Sequence, residues 1–388
     1  MIEATPDILE LARTDRRGFI DLARLQAAIA DRGLGAVVAS SSANVTYTGG
    51  SYIDFPPLIS FVVTTADGRQ GIVMNEADSI YFREYSWIED IRSYRYAAST
   101  VEANRDAVRL LAEMLREFGA SELVGVEETH LPALYRDALA DEMSNTKLVD
   151  ATDVFDDVRV IKTPAEVELM SYAALATDKA IHTGFALARP ADTEQQLAAA
   201  IQGAAMRLGA DALDHADVHV GPHATIVHAW PMALRLDPGE VIHVDFGAVF
   251  GGYHTDIARN ATVGEPSADQ ERFYRPLFEA RDAMLEAIRP GATAGEVYDV
   301  GQRTIERGGL VYPWGTLGHS IGLSIHEGFE IVRGSDRVLE ENMVLNIEPS
   351  HVERGSARYH VEDNVLVTGD GARLLSRFSA TERMAEIS

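Results

Sequence analysis

The chain of 388 residues contains no cysteine. This absence excludes disulfide bonds, thiolate nucleophiles and cysteine-based zinc sites. The sequence also lacks any apolar run that approaches the ~20 residues of a membrane span. Its first residues, Met1–Asp15, are acidic where a secretory signal would be basic and then apolar. We therefore expect a cytoplasmic protein that does not bind membranes.

Basic residues are few. The chain has 34 lysines and arginines against 60 aspartates and glutamates, which gives a formal net charge of -26. Nucleic-acid phosphates require a basic footprint on the protein, so this balance argues against a nucleic-acid-binding function. The ordinary consequence of such a charge is solubility. The length exceeds that of one ordinary domain, and we expect two.

The most informative stretch lies in the middle of the sequence. Two runs of strand-forming residues, Val241–Ala248 and Tyr253–Val263, flank a Gly-Gly pair, which is typical of a β-hairpin. One loop that fits this pattern consists of the two residues Phe250 and Gly251.

That loop would place Asp245 directly opposite Asp256, with their Cβ atoms roughly 5 Å apart on one face. Two carboxylates at this distance repel each other. The pair is stable when one carboxylate holds a proton, or when a cation lies between them. The second possibility requires further ligands of the same chemistry elsewhere in the chain.

Such ligands follow downstream. His319 lies in a glycine-framed segment where the backbone can approach closely, Glu348 ends an apolar run before a proline, and Glu362 interrupts the β-branched strand pattern Tyr359–Val367. Together with the two aspartates they make a set of carboxylates with one imidazole. Such a set suits Mn²⁺, with Co²⁺, Fe²⁺ or Zn²⁺ as alternatives, and two such ions can share bridging carboxylates.

The order and local sequences of these segments resemble those of the pita-bread metallohydrolases, the family that includes methionine aminopeptidase, aminopeptidase P, prolidase and creatinase. The resemblance extends over nearly the whole chain. It implies that Asp245 binds one ion, that His319 and Glu348 bind the other, and that Asp256 and Glu362 bridge the two. It also implies a homodimer.

Residues 1–155 are predicted to form a small α/β domain, with two strands around an Asp67-Gly68 turn. The segment Ser42–Gly50 resembles the N-terminal domain of creatinase, prolidase and aminopeptidase P, which methionine aminopeptidase lacks. Residues 156–388 would form the catalytic domain. The expected fold class is therefore α/β (α+β), with a creatinase-like N-terminal domain followed by a pseudo-two-fold pita-bread domain.

The predicted catalytic domain contains a weak internal duplication. The segments Arg189–Leu197 and Arg289–Val297 each combine a proline with a threonine that is followed three residues later by Gln or Glu, as in a capping box. An acidic strand follows each segment at a similar distance. This pattern predicts two αβ halves, with the metal ions where the halves meet.

The resemblance also implies catalytic roles. His228 and His326 match family positions that contact the substrate or the departing group, and Glu348 would accept a proton from the attacking water. The other nearby histidines are assigned to packing or to the surface: His215, His219, His223, His243 and His254. Of these, His223 and His254 are candidates to line the cleft.

The sequence departs from the family pattern at two positions. His360 stands two residues before the bridging glutamate, where relatives that cleave before proline commonly have arginine, and Ser350 stands where glycine is usual. An imidazole cannot reproduce the permanently charged fork of arginine. The departure therefore concerns residues around the bridging carboxylates and leaves the set of metal ligands intact.

The leading function is a dinuclear metal-dependent hydrolase that cleaves the amide bond before proline in short peptides, as a dipeptidase or an aminopeptidase. The alternative is a metal-dependent hydrolase or lyase of a small non-peptide molecule, resembling creatinase or osmolyte-degrading relatives. A third possibility, a binding protein on an inactive catalytic fold, predicts a broken ligand set. The ligand set is complete.

Overall fold

The computed structural model describes residues 7–52, 59–95, 101–120, 122–312, 314–379 and 381–388. The first six residues of the acidic N-terminal stretch lie outside this part of the chain. Within it, no helix has the length and hydropathy needed to cross a membrane. The chain divides into two compact units, one spanning Glu10–Arg159 and the other built on Val160–Ser388.

The elements before the division are a mixture of helices and short strands. In chain order they are α1 (Asp7–Thr14), the 3₁₀ turn Arg16–Phe19, α2 (Leu22–Asp31), β1 (Ala36–Ala39), α3 (Ser42–Gly49), β2 (Phe61–Thr65), β3 (Gln70–Asn75), α4 (Glu76–Tyr85), β4 (Ile91–Tyr94), α5 (Val101–Glu117), β5 (Leu123–Val126), α6 (Ala133–Glu142), β6 (Lys147–Asp150) and α7 (Thr152–Arg159). The predicted domain boundary after residue 155 falls within α7, and the compact units divide at the end of that helix.

The first unit is organised around a mixed sheet with the strand order β4-β3-β2-β1-β5-β6. Strands β1, β5 and β6 run parallel, whereas β2 is antiparallel to both β1 and β3. The predicted turn at Asp67-Gly68 joins β2 to β3, and the positive φ of 88° at Gly68 explains the glycine there. Leu111 and Leu115 of α5 pack on Val63 of the sheet in one buried cluster.

A buried carboxylate organises the segment that resembles the creatinase N-terminal domain. Glu127 follows β5 and accepts hydrogen bonds from the Ser41 backbone N–H at 2.9 Å, the Ser41 hydroxyl at 2.7 Å and the Asn44 amide at 2.6 Å. Since Ser41 is also the N-cap of α3, this carboxylate helps to satisfy the free N–H groups at the start of that helix.

The second unit contains the predicted catalytic domain. Its elements are α8 (Pro164–Leu187), α9 (Glu194–Arg207), β7 (Ala212–Val220), the 3₁₀ turn Gly221–Thr225, β8 (Val241–Phe250), β9 (Tyr253–His254), β10 (Ile257–Val263), α10 (Ala268–Ala287), α11 (Ala294–Arg307), β11 (Thr316–Ser320), β12 (Glu330–Val332), β13 (Val344–Ile347), β14 (Ser350–Glu353), β15 (Ala357–His360), β16 (Asp363–Thr368), β17 (Gly371–Leu374) and β18 (Ala385–Ile387).

Two halves of this unit repeat one pattern of helix, helix and three antiparallel strands. The first half is α8, α9, β7, β8 and β10, and the second is α10, α11, β11, β13 and β16. In the first sheet the strand order is β18-β10-β8-β7, and in the second it is β12-β11-β13-β16-β17. The middle strand of each repeat, β8 or β13, therefore occupies the same place in its sheet.

The predicted capping boxes occur at equivalent helices of the two halves. Thr193 and Thr293 each cap a helix and form the reciprocal hydrogen bonds of a capping box. Each also forms an isolated antiparallel bridge to a residue shortly before the middle strand, Arg235 in the first half and Val338 in the second. The internal duplication predicted from the sequence is confirmed.

The predicted loop of the central hairpin was wrong. Strand β8 continues through Phe250, which pairs with Tyr253, so Gly251 and Gly252 form the turn. Both glycines have positive φ, 56° and 86°, as the tight turns of two-residue hairpins require. Because Phe250 is fully buried, its packing favours the longer strand over a place in the loop.

The new register changes the partner of the first aspartate. Asp245 pairs with Ala258 instead of Asp256. Since the pairing has moved by two residues, every side chain keeps its face, and the two aspartates still share one side of the hairpin. Asp256 lies in a short break between β9 and β10.

The predicted strand from Tyr359 to Val367 is also interrupted. Val361 and Glu362 separate β15, which pairs with β14, from β16, which pairs with β13. Glu362 thus directly precedes β16, as Asp256 directly precedes β10. The two residues occupy equivalent positions in the two halves.

Candidate metal centre

A cavity of about 420 Å³ opens within the second unit. Its walls include every residue predicted to bind metal, together with both predicted catalytic histidines: Asp245, Asp256, His319, Glu348, Glu362, His228 and His326. The structure therefore brings together side chains that are widely separated in the sequence.

The positions of the acids follow from the two sheets. Asp245 lies in the middle strand β8, and Glu348 directly follows β13, the equivalent strand of the second half. Asp256 and Glu362 lie at the equivalent strand breaks described above. Asp245, Asp256 and Glu362 are buried, whereas the Glu348 side chain is 20% exposed to the cavity.

His319 lies on β11, with its Nε2 atom 3.6 Å from Asp256 Oδ2. The preceding residue explains how this strand reaches the cavity. Gly318 has φ of 148°, and a Cβ atom there would lie 2.1 Å from the backbone oxygen of Asn346. The glycine-framed approach predicted from the sequence is therefore required by the pairing of β11 with β13.

Two buried amides orient the acids that were predicted to bridge. Asn346 Nδ2 donates to Glu362 Oε1 at 3.1 Å and to the backbone oxygen of Asp256 at 3.2 Å. Asn364 Nδ2 donates to that same backbone oxygen at 3.1 Å. These contacts tie the two acids together across the halves and restrict the orientation of both.

The carboxylates differ in their ionisation. Burial raises the pKa of Glu348 well above its ordinary value, and the charges of Asp256 and Asp245 raise it further. Burial and the same two charges also raise the pKa of Glu362 well above its ordinary value. Without a cation, the crowded second-half carboxylates therefore favour the protonated form.

The first-half acids behave in the opposite way. Burial acts to raise the pKa of Asp245, but the hydrogen bond and charge of His215 lower it well below its ordinary value. For Asp256, the effect of burial is again outweighed, by the charge of His215 and by hydrogen bonds from His215 and His319, so its pKa is lowered. Both aspartates therefore favour the ionised form.

These residues fit divalent cations. The set combines carboxylates with imidazole, which suits borderline and hard divalent ions. The buried Glu362 Oε2 atom has no hydrogen-bond partner among the described residues. A buried oxygen that lacks a partner in the protein has the position and chemistry of a metal ligand.

His228 is presented by the connection between β7 and β8. Its side chain is 83% exposed, its φ is 59°, and its Nδ1 atom lies 3.3 Å from Asp217 Oδ2. The same carboxylate oxygen accepts a hydrogen bond from the His228 backbone N–H at 3.1 Å. Buried Glu194 holds the connection by accepting from the backbone N–H groups of Val220 and Met232, both at 2.8 Å.

His326 lies against a metal-ligand candidate. Its ring stacks on that of His319, with centroids 3.7 Å apart and planes 15° apart. Its Nδ1 atom lies 2.7 Å from Glu330 Oε1, and this hydrogen bond raises the pKa of His326. Nearby, the buried Lys162–Glu327 ion pair, at 2.5 Å, anchors the loop that carries His326.

The sequence interpretation missed His215, which it assigned to packing or to the surface. The side chain lies on β7 opposite Gly247 of β8, and its Nε2 atom faces both Asp245 and Asp256. The alternation of β7 could have placed this ring on the cavity side, but only with a known register to β8. Asp214, the neighbouring residue, lines the cavity as well.

A guanidinium lies two residues before the departure at His360. Arg358 lies on the same face of β15, lines the cavity, and places Nη2 4.0 Å from Asp245 Oδ2. His360 itself stacks on His243 with ring centroids 5.6 Å apart. Burial and the charge of Arg358 lower the pKa of His360 to about 3, so its imidazole is neutral.

Comparison with known proteins agrees with this geometry. The model of metallopeptidase family M24 matches residues 168–369, and that of the Creatinase/Prolidase N-terminal domain matches residues 22–161. The chain is 30% identical over 363 residues to the probable dipeptidase PepE of Mycobacterium tuberculosis, covering 90% of this chain and 92% of that protein. It is 28% identical over 360 residues to an Xaa-Pro dipeptidase of Lactobacillus helveticus, covering 91% and 95%.

Solved structures give the same result. The dipeptidase PepE of Mycobacterium ulcerans superposes with a TM-score of 0.81 at 29% identity, covering 94% of this chain and 96% of that one. The X-Pro aminopeptidase of Thermotoga maritima gives a TM-score of 0.82 at 21% identity, covering 94% and 99%. The second likeness supports the fold.

The fold and the cavity define a metallohydrolase of the pita-bread class. The chain belongs to metallopeptidase family M24 and carries a creatinase/prolidase-type N-terminal domain. The family, the fold class and the enzyme class predicted from the sequence are confirmed. Membership of this family implies divalent metal ions as cofactors.

Proposed function

We propose that this protein is a dinuclear metal-dependent hydrolase that cleaves the amide bond before proline in short peptides. The observation that carries the proposal is the convergence of the complete predicted ligand set in one cavity. The likeness to relatives named as dipeptidases over nearly the full chain supports the peptide substrate. We further propose two ions, most simply Mn²⁺, together with a homodimer and a cytoplasmic location.

When bound, divalent cations lower the pKa of water and polarise the carbonyl group of the substrate. The ligands would be divided as the family resemblance implies, with Asp245 on one ion, His319 and Glu348 on the other, and Asp256 and Glu362 shared. The amide contacts from β13 and β16 hold the shared pair in place.

The residues of the chain perform the remaining steps. Glu348 accepts the proton of the attacking water and passes it to the leaving nitrogen, a role suited to a carboxylate that is partly exposed to the cavity. His228 and His326 reach the cavity from opposite halves and donate hydrogen bonds to the oxygen on which charge develops.

The position of Arg358 favours dipeptides over longer peptides as substrates. Its side chain is 8% exposed, and its buried Nε atom has no hydrogen-bond partner among the described residues. In a dipeptide the free carboxylate lies one residue from the scissile carbonyl, so about 3.8 Å along the chain. A guanidinium beside the metal ligands is therefore placed to bind that carboxylate through paired hydrogen bonds.

The experiment compares Ala-Pro with its C-terminal amide, with Ala-Pro-Ala and with Ala-Gly, each with added Mn²⁺. We expect hydrolysis of Ala-Pro, slower hydrolysis of the amide and the tripeptide, and little hydrolysis of Ala-Gly. Chelation should abolish the activity, and Mn²⁺ should restore it. Inactivity on every proline peptide by protein that contains metal would refute the proposal.

A second candidate function is the hydrolysis or lysis of a small non-peptide molecule. His360 favours it, because relatives that cleave before proline commonly have arginine at that position. The compensating guanidinium of Arg358 weakens this argument. Activity on small C–N or sulfonium compounds, without activity on Ala-Pro, would establish this alternative.

A further inference from the structure

We propose that His215 is an additional ligand of the metal centre and binds the same ion as Asp245 and Asp256. This inference rests on the metal-binding part of the proposed function and is independent of the substrate. It adds a nitrogen donor to a set that otherwise contains one imidazole.

The first argument is distance. His215 Nε2 lies 3.1 Å from Asp245 Oδ1 and 3.2 Å from Asp256 Oδ1. Donor atoms that bind one ion at about 2.0–2.2 Å and meet near right angles are separated by about 3 Å. The three atoms thus already have the mutual spacing of ligands around a shared cation.

The second argument is that the chain makes room for this ring. His215 pairs with Gly247 across β7 and β8. A Cβ atom on Gly247 would lie 2.6 Å from the Cε1 atom and 2.7 Å from the Nδ1 atom of His215. The glycine therefore permits the imidazole to lie flat against the hairpin with its Nε2 atom directed at the two aspartates.

The third argument concerns the other ring nitrogen. Asp214 Oδ2 lies 3.5 Å from His215 Nδ1, so a carboxylate faces the nitrogen that would not bind metal. Metal-binding histidines commonly donate this second N–H to a carboxylate, which sets the tautomer and the ring orientation. Asp214 Oδ2 also lies 3.3 Å from His254 Nδ1.

A consequence is that each of the two ions has one imidazole donor. The ion bound by Asp245 would gain an imidazole from β7, while the other ion has the imidazole of His319 from β11. Imidazole raises the relative affinity for Co²⁺, Fe²⁺ and Zn²⁺ over Mn²⁺. Loss of His215 should therefore weaken Co²⁺ binding more than Mn²⁺ binding.

The test compares His215→Ala with His254→Ala, a matched variant that removes another histidine near the same Asp214 carboxylate. Calorimetric titration of the metal-free proteins with Co²⁺ should show two binding steps in the wild type. In His215→Ala one step should weaken at least tenfold, and the visible absorption of bound Co²⁺ should change. His254→Ala should bind within about twofold of the wild type.

Several results would overturn the inference. The first is an unchanged Co²⁺ affinity and spectrum in His215→Ala. The second is a loss of Co²⁺ affinity in His254→Ala that equals the loss in His215→Ala. The third is a loss of Co²⁺ affinity that occurs only in a His360→Gln variant. Circular dichroism would check folding, and His215→Gln, which keeps a side chain of similar length, serves if the alanine variant does not fold. Inactivity on proline peptides by wild type that binds two ions would refute the substrate proposal while leaving this one intact.

Discussion

The two halves of the catalytic unit share one scaffold but balance charge differently at the metal centre. In the first half, His215 lies between Asp245 and Asp256 and lowers the pKa of both. In the second half, burial and the first-half charges raise the pKa of Glu348 and Glu362. A repeated backbone therefore does not impose repeated electrostatics.

The physical reason is the placement of the imidazoles. His319 belongs to the second half, yet its Nε2 atom faces Asp256 of the first half. Both rings thus compensate the aspartates, while the glutamates depend more strongly on a bound cation. We expect metal binding to displace protons from the glutamates and from His215, whose pKa, despite the opposing effect of burial, is raised by the neighbouring aspartates when metal is absent.

The largest effect is expected from replacing the two equivalent acids that we propose as shared ligands, Asp256→Asn and Glu362→Gln. Each change should lower kcat/KM by roughly 10³-fold or more, because a shared ligand of the metal centre is lost. Steady-state kinetics with Mn²⁺ and metal analysis would measure this.

In the metal-free protein, the same two variants should change the melting temperature in different ways. Asp256→Asn should lower the melting temperature of the metal-free protein, because His215 and His319 lose an anionic partner. Glu362→Gln should leave it unchanged or raise it, because a crowded buried carboxyl group is removed. Equal shifts in one direction would contradict the difference in charge balance.

A smaller effect is expected from the two histidines that we propose contact the substrate. His228→Ala and His326→Ala should each lower kcat by roughly 10²-fold, the usual loss for one hydrogen-bond donor to a developing oxyanion. Bound metal should remain at the wild-type level. His130→Ala, at an exposed position of the other unit, is the control. A rise in KM at unchanged kcat would assign the rings to substrate binding instead.

The pH dependence of stability sharpens the comparison further. A carboxyl group whose pKa is raised on folding stabilises the folded state below its unfolded pKa, near 4.5 for glutamate, and loses that contribution as pH rises through the folded value. Metal-free protein should therefore lose stability from about pH 5 towards neutrality, by about 1.4 kcal/mol for each unit of pKa shift.

Chemical denaturation at pH 5, 6, 7 and 8 would measure this loss, which saturating Mn²⁺ should abolish. Asp245 and Asp256, whose pKa values are lowered, contribute in the opposite direction and lose their contribution only as pH falls below the ordinary aspartate value of 3.8. Stability that rises steadily from pH 5 to pH 8 without metal would contradict the assignment.

The smallest effect is expected at the repeated capping boxes. Thr193→Ala and Thr293→Ala should each destabilise the protein by about 1 kcal/mol, because each removes one N-cap hydrogen bond. The effects should add in the double variant, and kcat with Ala-Pro should not change. A tenfold loss of activity in either variant would show that the caps also position the site.

Local patterns in the sequence were sufficient for much of the fold. The Gly-Gly pair predicted a hairpin, the repeated threonine caps predicted the duplication, and the glycine before His319 predicted a close backbone approach. Each of these signals depends on neighbouring residues, since turns and caps form between groups a few positions apart.

The hairpin register and the strand break at Glu362 could not be read in this way. The register depends on the burial of Phe250, and the break depends on β15 and β16 pairing with different strands. These are contacts between distant parts of the chain, which local periodicity does not specify.

The sequence by itself determined the family, the two-halved architecture and the chemistry of the ligand set, because those properties depend on residue types in a fixed order. Only the tertiary structure decided that His215 faces the two aspartates and that Arg358 lines the same cavity. Both outcomes depend on which strand lies beside which, and that choice is made by packing across the whole unit.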